Sequence, residues 1–281
     1  MRVDELVNKG RKRGLVGLEI ECEGDNLIAI DNDWWRSEAD SSLKKADSWE
    51  YVLKEPLSLA EVSEAVDQLY SILEENDASI DESVRAGVHV HINVQDMSVV
   101  ELFSFITLYI LLEEVLVSYC GENRQGNLFC LRASDARYLI RYMMTNIQSK
   151  QLSKFHTDDI RYASINLKAL YQYGSLEFRA MRSTPDKEAI ITWINLLTTV
   201  REASKKFRSP DDVVYNLSDL GVDSFIREVF GKLSPFVMGT SDLHGKVRRG
   251  LDNAQDVAYC VDWSKYDSGV STNPFLRGEF T

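Results

Sequence analysis

Residues 18–23 alternate between apolar and acidic side chains, so that Glu19, Glu21 and Glu23 are separated by single apolar residues. Successive side chains of a strand point to opposite faces of its sheet, which would place the three carboxylates together on one face. The same alternation is typical of an ordinary half-buried strand with one solvated side. The pattern predicts a strand with one apolar and one acidic face, and residues 26–30 are expected to form its hairpin partner.

The alternation returns in residues 87–94 with histidine in place of glutamate. His89, His91 and Asn93 would share one face, opposite valine and isoleucine side chains. A single histidine on a strand is usually an ordinary polar residue. Two of the chain's four histidines on one face indicate a more specific role, because imidazole accompanies carboxylates in many cation sites.

Two further segments, residues 49–53 and 175–180, are extended in character and bring other polar groups. The first contains Glu50, and in the second Glu177 and Arg179 share a face opposite apolar side chains. The Glu–Arg pair can be a simple surface ion pair. It also combines a carboxylate that binds cations with a guanidinium that can hold a phosphate, a pairing that phosphoryl transfer needs.

Helices are predicted between these strands. Ser58 and Ser98 each begin a Ser-x-x-Glu capping box followed by apolar residues at helical spacing, which predicts helices over residues 58–76 and 99–119. The apolar run of the second helix, about 16 residues, is shorter than a bilayer span and is interrupted by polar residues, so it is interpreted as a core helix. Further helices are predicted over residues 134–150, 184–200 and 223–232.

Strands with acidic, histidine and arginine residues thus alternate with capped helices along the chain. This order predicts an α+β domain with a curved antiparallel sheet, helices packed on its convex side, and the polar residues lining its concave side. Residues 161–179 are predicted to form a hairpin whose connection is a short turn at residues 171–174.

Composition limits the possible classes of function. A net charge of -12 argues against nucleic-acid binding, because affinity for phosphate backbones depends on clustered Lys and Arg. The four cysteines lack metal-type or disulfide spacing, and the N-terminus lacks the apolar run of a signal peptide. We therefore expect a cytoplasmic protein with reduced thiols and no membrane partner, whose oligomeric state the sequence does not indicate.

If one sheet holds the polar strands, their polar faces form a cage of carboxylates and imidazoles with a guanidinium at one end. Hard oxygen ligands dominate and no cysteine lies on that face, which favours Mg²⁺ or Mn²⁺ bridging nucleotide phosphates. The residues of this cage are Glu19, Glu21, Glu50, His89, His91, Glu177 and Arg179.

Residues 17–21, 40–57, 86–91 and 175–179 resemble, in content and in order, the motifs of the amidoligase family. That family is grouped with glutamine synthetase and glutamate-cysteine ligase, the carboxylate-amine ligases. The loop after the long helix, from Asn123 to Cys130, also resembles the family's arginine loop, and the resemblance extends over about residues 14–200. One departure is Glu55, which stands where relatives usually carry a serine.

The resemblance implies a glutamine-synthetase-like catalytic domain over residues 1–205. Residues 206–281 would then be a C-terminal extension, either a lid or substrate-recognition segment or only surface packing. The resemblance further implies ATP-dependent amide formation through an acyl phosphate, with ATP and Mg²⁺ or Mn²⁺ as cofactors.

The resemblance also implies roles for individual residues. Glu21 and Glu50 would hold a metal near the acyl substrate, whereas Glu19, His89 and Glu177 would hold the metal that bridges the ATP phosphates. Arg179 would stabilise the transferred phosphoryl group, Arg124, Arg161 or His91 the oxyanion, and Asp40 would accept the proton of the amine. ATP itself would be bound by Arg179, His91 and Asn166.

Two other functions remain open at this point. A phosphotransferase would use the same cage and stop after phosphorylation, so product formation would not depend on an amine. A non-enzymatic, cation-binding interaction module would not need the polar faces to converge, and Glu19 and Glu177 would then lie more than about 15 Å apart. The acidic chain would attract a cationic amine, so an amino acid, a peptide or a polyamine is the expected substrate.

Overall fold

The computed structural model describes residues 2–5, 14–124, 126–128, 130–152, 155 and 162–266. Within these residues the chain forms a sheet of seven strands in which all pairs of neighbouring strands are antiparallel. The predicted α+β class with an antiparallel sheet is therefore confirmed. The strands are β1 (Val16–Asp25), β2 (Trp35–Glu38), β3 (Ser48–Leu53), β4 (Ser79–Ile80), β5 (Gly87–Asn93), β6 (Ile165–Asn166) and β7 (Ser175–Arg182).

The strand order is β2-β3-β1-β5-β7-β6, with β4 paired to the far end of β1. The central strands β1, β5 and β7 are those whose alternation was predicted from the sequence. Their register aligns the polar positions, because Glu19 pairs with His89 across β1 and β5, and His91 pairs with Glu177 across β5 and β7. On the other side of β1, Glu21 pairs with Glu50 of β3.

Helices occupy much of the rest of the described chain. None of those described combines the length and apolarity needed to cross a bilayer. They are α1 (Leu59–Glu75), α2 (Val99–Val117), α3 (Arg137–Gln148), α4 (Lys168–Tyr173), α5 (Lys187–Ser204), α6 (Pro210–Leu220), α7 (Val222–Phe230), α8 (Ser234–Met238) and α9 (Leu243–Ala258).

The two predicted capping boxes are confirmed. Ser58 caps α1 and Ser98 caps α2. In each case the serine side chain accepts a hydrogen bond from the backbone N–H of the glutamate three residues later, and that glutamate's carboxylate accepts one from the backbone N–H of the serine. This arrangement satisfies two of the backbone donors that a helix leaves unpaired at its first turn. The start of each helix is therefore fixed by local sequence.

Helices pack on the apolar face of the sheet. Leu18, Ile20 and Cys22 of β1 are fully buried on this face. From β7, the ring of Phe178 contacts Phe105 and Tyr109 of α2, with ring centroids 5.6 and 4.8 Å apart. The polar residues of the same strands consequently project from the opposite face.

Two local predictions were wrong. Residues 26–30 do not form the hairpin partner of β1, because Asn26 adopts a left-handed conformation (φ 56°) and β1 pairs with β3 and β5 instead. The connection before β7 is not a short turn but α4, which ends at Gly174 with φ 70°. That helix brings Lys168 and Tyr173 beside the polar face of the sheet.

Residues 206–266 form helices where the sequence predicted only one. The helices α6 and α9 pack on α2, and Val213 and Val247 belong to the same apolar core as the sheet. At the closest point, a Cβ on Gly250 of α9 would lie 2.3 Å from the carbonyl oxygen of Leu111. The described part of this segment thus covers α2, and the lid role and the division at residue 205 stay predictions.

This close approach gives a stability prediction. Alanine is normally favoured over glycine inside a helix by about 1 kcal/mol. Gly250→Ala should nevertheless destabilise the protein by about 2 kcal/mol, because backbone of α2 blocks the methyl group. Gly245→Ala in the same helix is the control, since the three atoms nearest its methyl would all belong to the side-chain carboxylate of Asp242, which can rotate away. Urea unfolding of both variants measures the difference, and equal stabilities would contradict the packing.

Candidate functional site

A cavity of about 350 Å³ lies on the polar face of the sheet. The predicted site residues line it, with two exceptions. Glu50 is not part of its lining but has a carboxylate oxygen within 4.8 Å of ligand atoms of Glu19 and His89. Arg161 lies outside the described residues. The sheet therefore brings together side chains that are far apart in the sequence.

Two sets of potential metal ligands share Glu19. In one set, ligand atoms of Glu19, His91 and Glu177 all lie within 4.8 Å of one another. In the other, ligand atoms of Glu19, Glu50 and His89 also lie within 4.8 Å of one another. The register of β1, β5 and β7 explains this convergence, because these residues occupy adjacent positions on one face. His91 thus groups with Glu19 and Glu177. His89, which the sequence analysis placed with these two carboxylates, is also close to both, with Nδ1 3.3 Å from Glu19 and 3.9 Å from Glu177.

Opposite charges stabilise the ionised form of the central carboxylates. Burial raises the pKa of Glu19, but the charges of His91 and His89 outweigh burial and hold that pKa well below its usual range. The pKa of Glu177 is lowered in the same way, against burial, by His91 and Arg179. Both carboxylates therefore remain ionised and able to accept a cation.

Glu50 is in a different environment from these two carboxylates. Burial, followed by the charges of Glu19, Glu21 and Asp40, raises its pKa to about 8. Like charges at this distance disfavour ionisation of one member. At neutral pH Glu50 therefore keeps its proton, and a bound cation that offsets the neighbouring carboxylates would favour its ionised form.

The carboxylates of Glu21 and Glu23 both accept hydrogen bonds from backbone amides. Of the two residues, Glu21 lines the cavity. The Glu21 carboxylate accepts a hydrogen bond from the Gly87 amide at 2.8 Å and lies 3.7 Å from Nε2 of His89. Glu23 accepts hydrogen bonds from the Ser83 hydroxyl and the Lys44 amide, both at 2.5 Å. Glu23 thus links β1 to the loops that contain Lys44 and Ser83, and Glu21 links β1 to the first residue of β5, Gly87.

Two arginines approach the cage from the β7 side. Arg179 pairs with Glu177 through Nη1, which also lies 3.4 Å from Nδ1 of His89, while its buried Nε has no hydrogen-bond partner among the described residues. Arg124 is only 1% exposed and donates to the carbonyls of Arg179 and Ala180 at 2.8 and 3.2 Å. Its Nη1, also buried, has no hydrogen-bond partner within the described part of the chain.

The other predicted site residues are held by local hydrogen bonds. The Asp40 carboxylate accepts from the amide and the hydroxyl of Ser42 at 2.7 and 2.8 Å. Asn166 donates to Glu177 at 2.6 Å and accepts from the Lys168 amide at 2.9 Å, so it orients a potential metal ligand. Both residues line the cavity.

Other lining residues were not predicted from the sequence. Arg85 directly precedes the histidine strand, a position that resembles an ordinary solvated charge in the sequence. Residues 171–173 of α4 were assigned to a turn, so the sequence did not predict that the side chains of Gln172 and Tyr173 face the cavity. The residues missed in this way include Ser42, Arg85, Lys168, Gln172 and Tyr173.

A comparison with protein-family models agrees with this arrangement. The model described as "Putative amidoligase enzyme" matches residues 25–200, more than half of the chain. The chain belongs to the amidoligase family. Membership places it among enzymes of the ligase type. No curated protein matches the chain.

The matched segment begins after the acidic row of β1. Glu19 and Glu21 therefore lie outside it, and the motif resemblance of residues 17–21 and the strand pairing connect them to the matched residues of β3, β5 and β7. His91, Glu177 and Arg179 lie inside the match. The structure thus extends the candidate site of this amidoligase-family chain beyond the segment that the family model covers.

This amidoligase-family chain also contains a buried carboxylate on the helical side of the sheet. Glu113 of α2 is 2% exposed and accepts hydrogen bonds from the Ser164 hydroxyl and, at 2.7 Å, from the Ala133 amide. Burial raises its pKa to about 7, although both hydrogen bonds lower it. Glu113 therefore links α2 by hydrogen bonds to two segments, the one before α3 at Ala133 and the one before β6 at Ser164.

The raised pKa predicts a dependence of stability on pH. The Glu113 contribution is fully favourable below its unfolded-state pKa of about 4.5 and is lost as the pH rises towards 7. Glu113→Gln removes this loss, so relative to the wild type the variant should gain about 2 kcal/mol of unfolding free energy between pH 5 and pH 8. Urea unfolding at both pH values measures the gain, and a constant difference would contradict the assignment.

Proposed function

We propose that the protein is an ATP-dependent carboxylate-amine ligase that forms an amide or peptide-like bond through an acyl phosphate. The observation that supports this most strongly is the convergence of Glu19, His91 and Glu177 within 4.8 Å, beside Arg179, in a member of the amidoligase family. A non-enzymatic module would not require such convergence.

The donor set fits Mg²⁺ or Mn²⁺. Carboxylate oxygens predominate, imidazole nitrogens complete each set, and the free cysteines lie elsewhere in the core or at its edge. Glu19, His91 and Glu177 would hold one ion, and Glu19, Glu50 and His89 a second. Bound there, the ions would neutralise the charge of the ATP phosphates.

The arginines would stabilise the transferred phosphoryl group. Arg179 is fixed by Glu177, and its Nε lacks a partner among the described residues. Arg124 holds the β7 backbone at Arg179 and offers Nη1. Preorganised guanidinium donors of this kind bind charge that develops in a phosphoryl or acyl transition state without further rearrangement.

The amine would approach from the Asp40 side. Asp40 is held by Ser42 and lines the cavity, so its carboxylate can attract a cationic amine and accept a proton from it. The net charge of -12 favours the approach of such an amine. The amine would belong to an amino acid, a peptide or a polyamine.

The glutamine-synthetase-like form of the fold is part of this proposal. It requires the sheet to curve, with helices on the convex side and the cage on the concave side. A register shift between Val88 and Val90 supports it, because such an irregularity bends a strand next to a site. A crystal structure with Mg²⁺ and ADP would measure the curvature directly.

Product analysis tests the proposed function. The full-length protein is incubated with ATP, Mg²⁺ and a panel of amino acids, peptides and polyamines, and ADP and products are followed by mass spectrometry. ADP release should depend on an amine, and the product should have the mass of both substrates less one water. Phosphorylated product without any amine would identify a phosphotransferase instead, and ADP release at one rate with every amine and no condensed product would contradict ligation.

A further inference from the structure

A second pocket, of about 200 Å³, adjoins the cavity on the side of β2 and β3. The two spaces share Glu19, His91 and Tyr173, so a ligand bound across both would contact the first metal-ligand set. We call this space the Tyr173 pocket and define it by Gly17, Val52, Pro56 and Tyr173. Its position makes it continuous with the candidate active site.

The floor of the Tyr173 pocket carries little side chain. Gly17 occupies the polar face of β1, two residues before Glu19, and pairs with His91. A Cβ at Gly17 would lie 3.2 Å from Cβ of His91, and apart from the two chain neighbours of Gly17 no other residue of the described chain lies within 4 Å of it. Beside it, Val52 pairs with Glu19 and is largely buried. The row of acidic side chains therefore ends at a flat, uncharged floor.

An aromatic wall stands at one side of this floor. Tyr173, the last residue of α4, is 46% exposed. The His91 ring contacts it in a T-shaped arrangement, with centroids 5.8 Å apart and planes at 86°. Because the two rings are perpendicular, His91 does not stack on Tyr173, and the exposed part of the phenol ring can stack on a planar ligand.

The charges at the rim are paired with neighbours. Lys54 forms an ion pair with Asp31 at 2.6 Å, and Arg36 pairs with Glu38 at 2.5 Å. Glu19 and Glu55 also line the pocket, so its described residues do not form a concentrated positive charge that would attract a phosphate. A flat floor, an aromatic wall and a rim without excess positive charge among the described residues fit an uncharged, planar ligand.

We propose that the Tyr173 pocket binds the base of the nucleotide whose phosphates reach Glu19 and His91. This rests on the proposed function, because it assumes that a nucleotide enters the cavity. The proposal also fixes the orientation of the bound nucleotide: its base would lie beside β2 and β3, and its terminal phosphate would point towards Arg179 and Arg124. The carboxylate and amine substrates would then enter from the Asp40 and Arg85 side.

Binding calorimetry on the full-length protein tests the proposal. Mg·ADP is compared with Mg·pyrophosphate, which has the two phosphates of ADP without its base and ribose. Tyr173→Ala should weaken Mg·ADP binding about tenfold, since stacking of a base on an aromatic ring contributes on that scale, and leave Mg·pyrophosphate binding unchanged. Tyr173→Phe keeps the ring and should bind like the wild type. Tyr215→Ala is the control, since Tyr215 is an exposed tyrosine on α6, 65% exposed against 46% for Tyr173, and does not line either pocket.

Three results would overturn the proposal. If Tyr173→Ala binds Mg·ADP as tightly as the wild type, the base lies elsewhere while nucleotide binding stands. If both ligands weaken equally, Tyr173 acts through His91 and does not contact the base. If the folded wild-type protein binds Mg·pyrophosphate as tightly as Mg·ADP, the base contributes nothing and the pocket has another ligand. Failure to bind any phosphate ligand would contradict the proposed function as well.

Discussion

Replacing Glu19 by glutamine is expected to abolish ATP turnover while the fold is preserved. Glu19 is the residue shared by both ligand sets, so one substitution removes a charged ligand from each. Glutamine keeps the shape of the side chain but not its charge. We expect turnover to fall on the order of 100-fold or more. The melting temperature should change by only about 3 °C, because glutamine fills the same space and its amide oxygen can still accept a hydrogen bond from the neighbouring imidazoles.

Glu23→Gln is the matched control for Glu19→Gln, since both residues lie on the same strand and face. Glu23 bonds to the Ser83 hydroxyl and the Lys44 amide, so its substitution should cost about 1–2 kcal/mol of unfolding free energy. Mg²⁺ binding should persist in this variant. If Glu19→Gln retains full turnover, or if the two variants lose Mg²⁺ binding equally, the cage is not organised around Glu19.

Arg124→Lys is expected to reduce both stability and activity. Arg124 is buried and bonds through two nitrogens to the carbonyls of Arg179 and Ala180, a geometry that the single ammonium of lysine does not reproduce. Loss of these charged hydrogen bonds should cost about 2–4 kcal/mol. Turnover should fall at least about tenfold, because the backbone that orients Arg179 is no longer fixed.

Arg132→Lys is the control for this second substitution. Arg132 forms ion pairs with Glu114 and Asp135 near the surface, where such pairs contribute about 0–1 kcal/mol. Both variants are compared by urea unfolding and by turnover at saturating ATP. An Arg124→Lys protein with wild-type stability would show that the guanidinium does not support β7.

The sequence predicted the central part of the site because its pattern is local. The polar faces of β1, β5 and β7 follow from the alternation of polar and apolar residues along each strand. The α1 and α2 starts follow from capping boxes at Ser58 and Ser98. These features depend on residues within a few positions of one another, so one sequence is enough to predict them.

Other features depend on contacts between distant segments. Arg124 lies in a loop and resembles a solvated charge, but the fold places it beneath β7. The buried face of α9 uses small residues such as Gly250 and Ala254, which give a weak apolar pattern. Which histidine joins which carboxylate depends on strand register. The local sequence pattern therefore did not predict which site side chains lie together. It predicted only one of the C-terminal helices, α7.

The most direct test of the account is equilibrium binding of Mn²⁺, followed through the electron paramagnetic resonance signal of the free ion. It requires no knowledge of the carboxylate or the amine. The full-length wild-type protein should remove Mn²⁺ from solution, more tightly with ADP present, and Glu19→Gln should not, whereas Glu23→Gln should. Unchanged free Mn²⁺ with the folded wild-type protein and ADP, or equal binding by Glu19→Gln, would contradict the assignment of Glu19, His91 and Glu177 as a metal–nucleotide site.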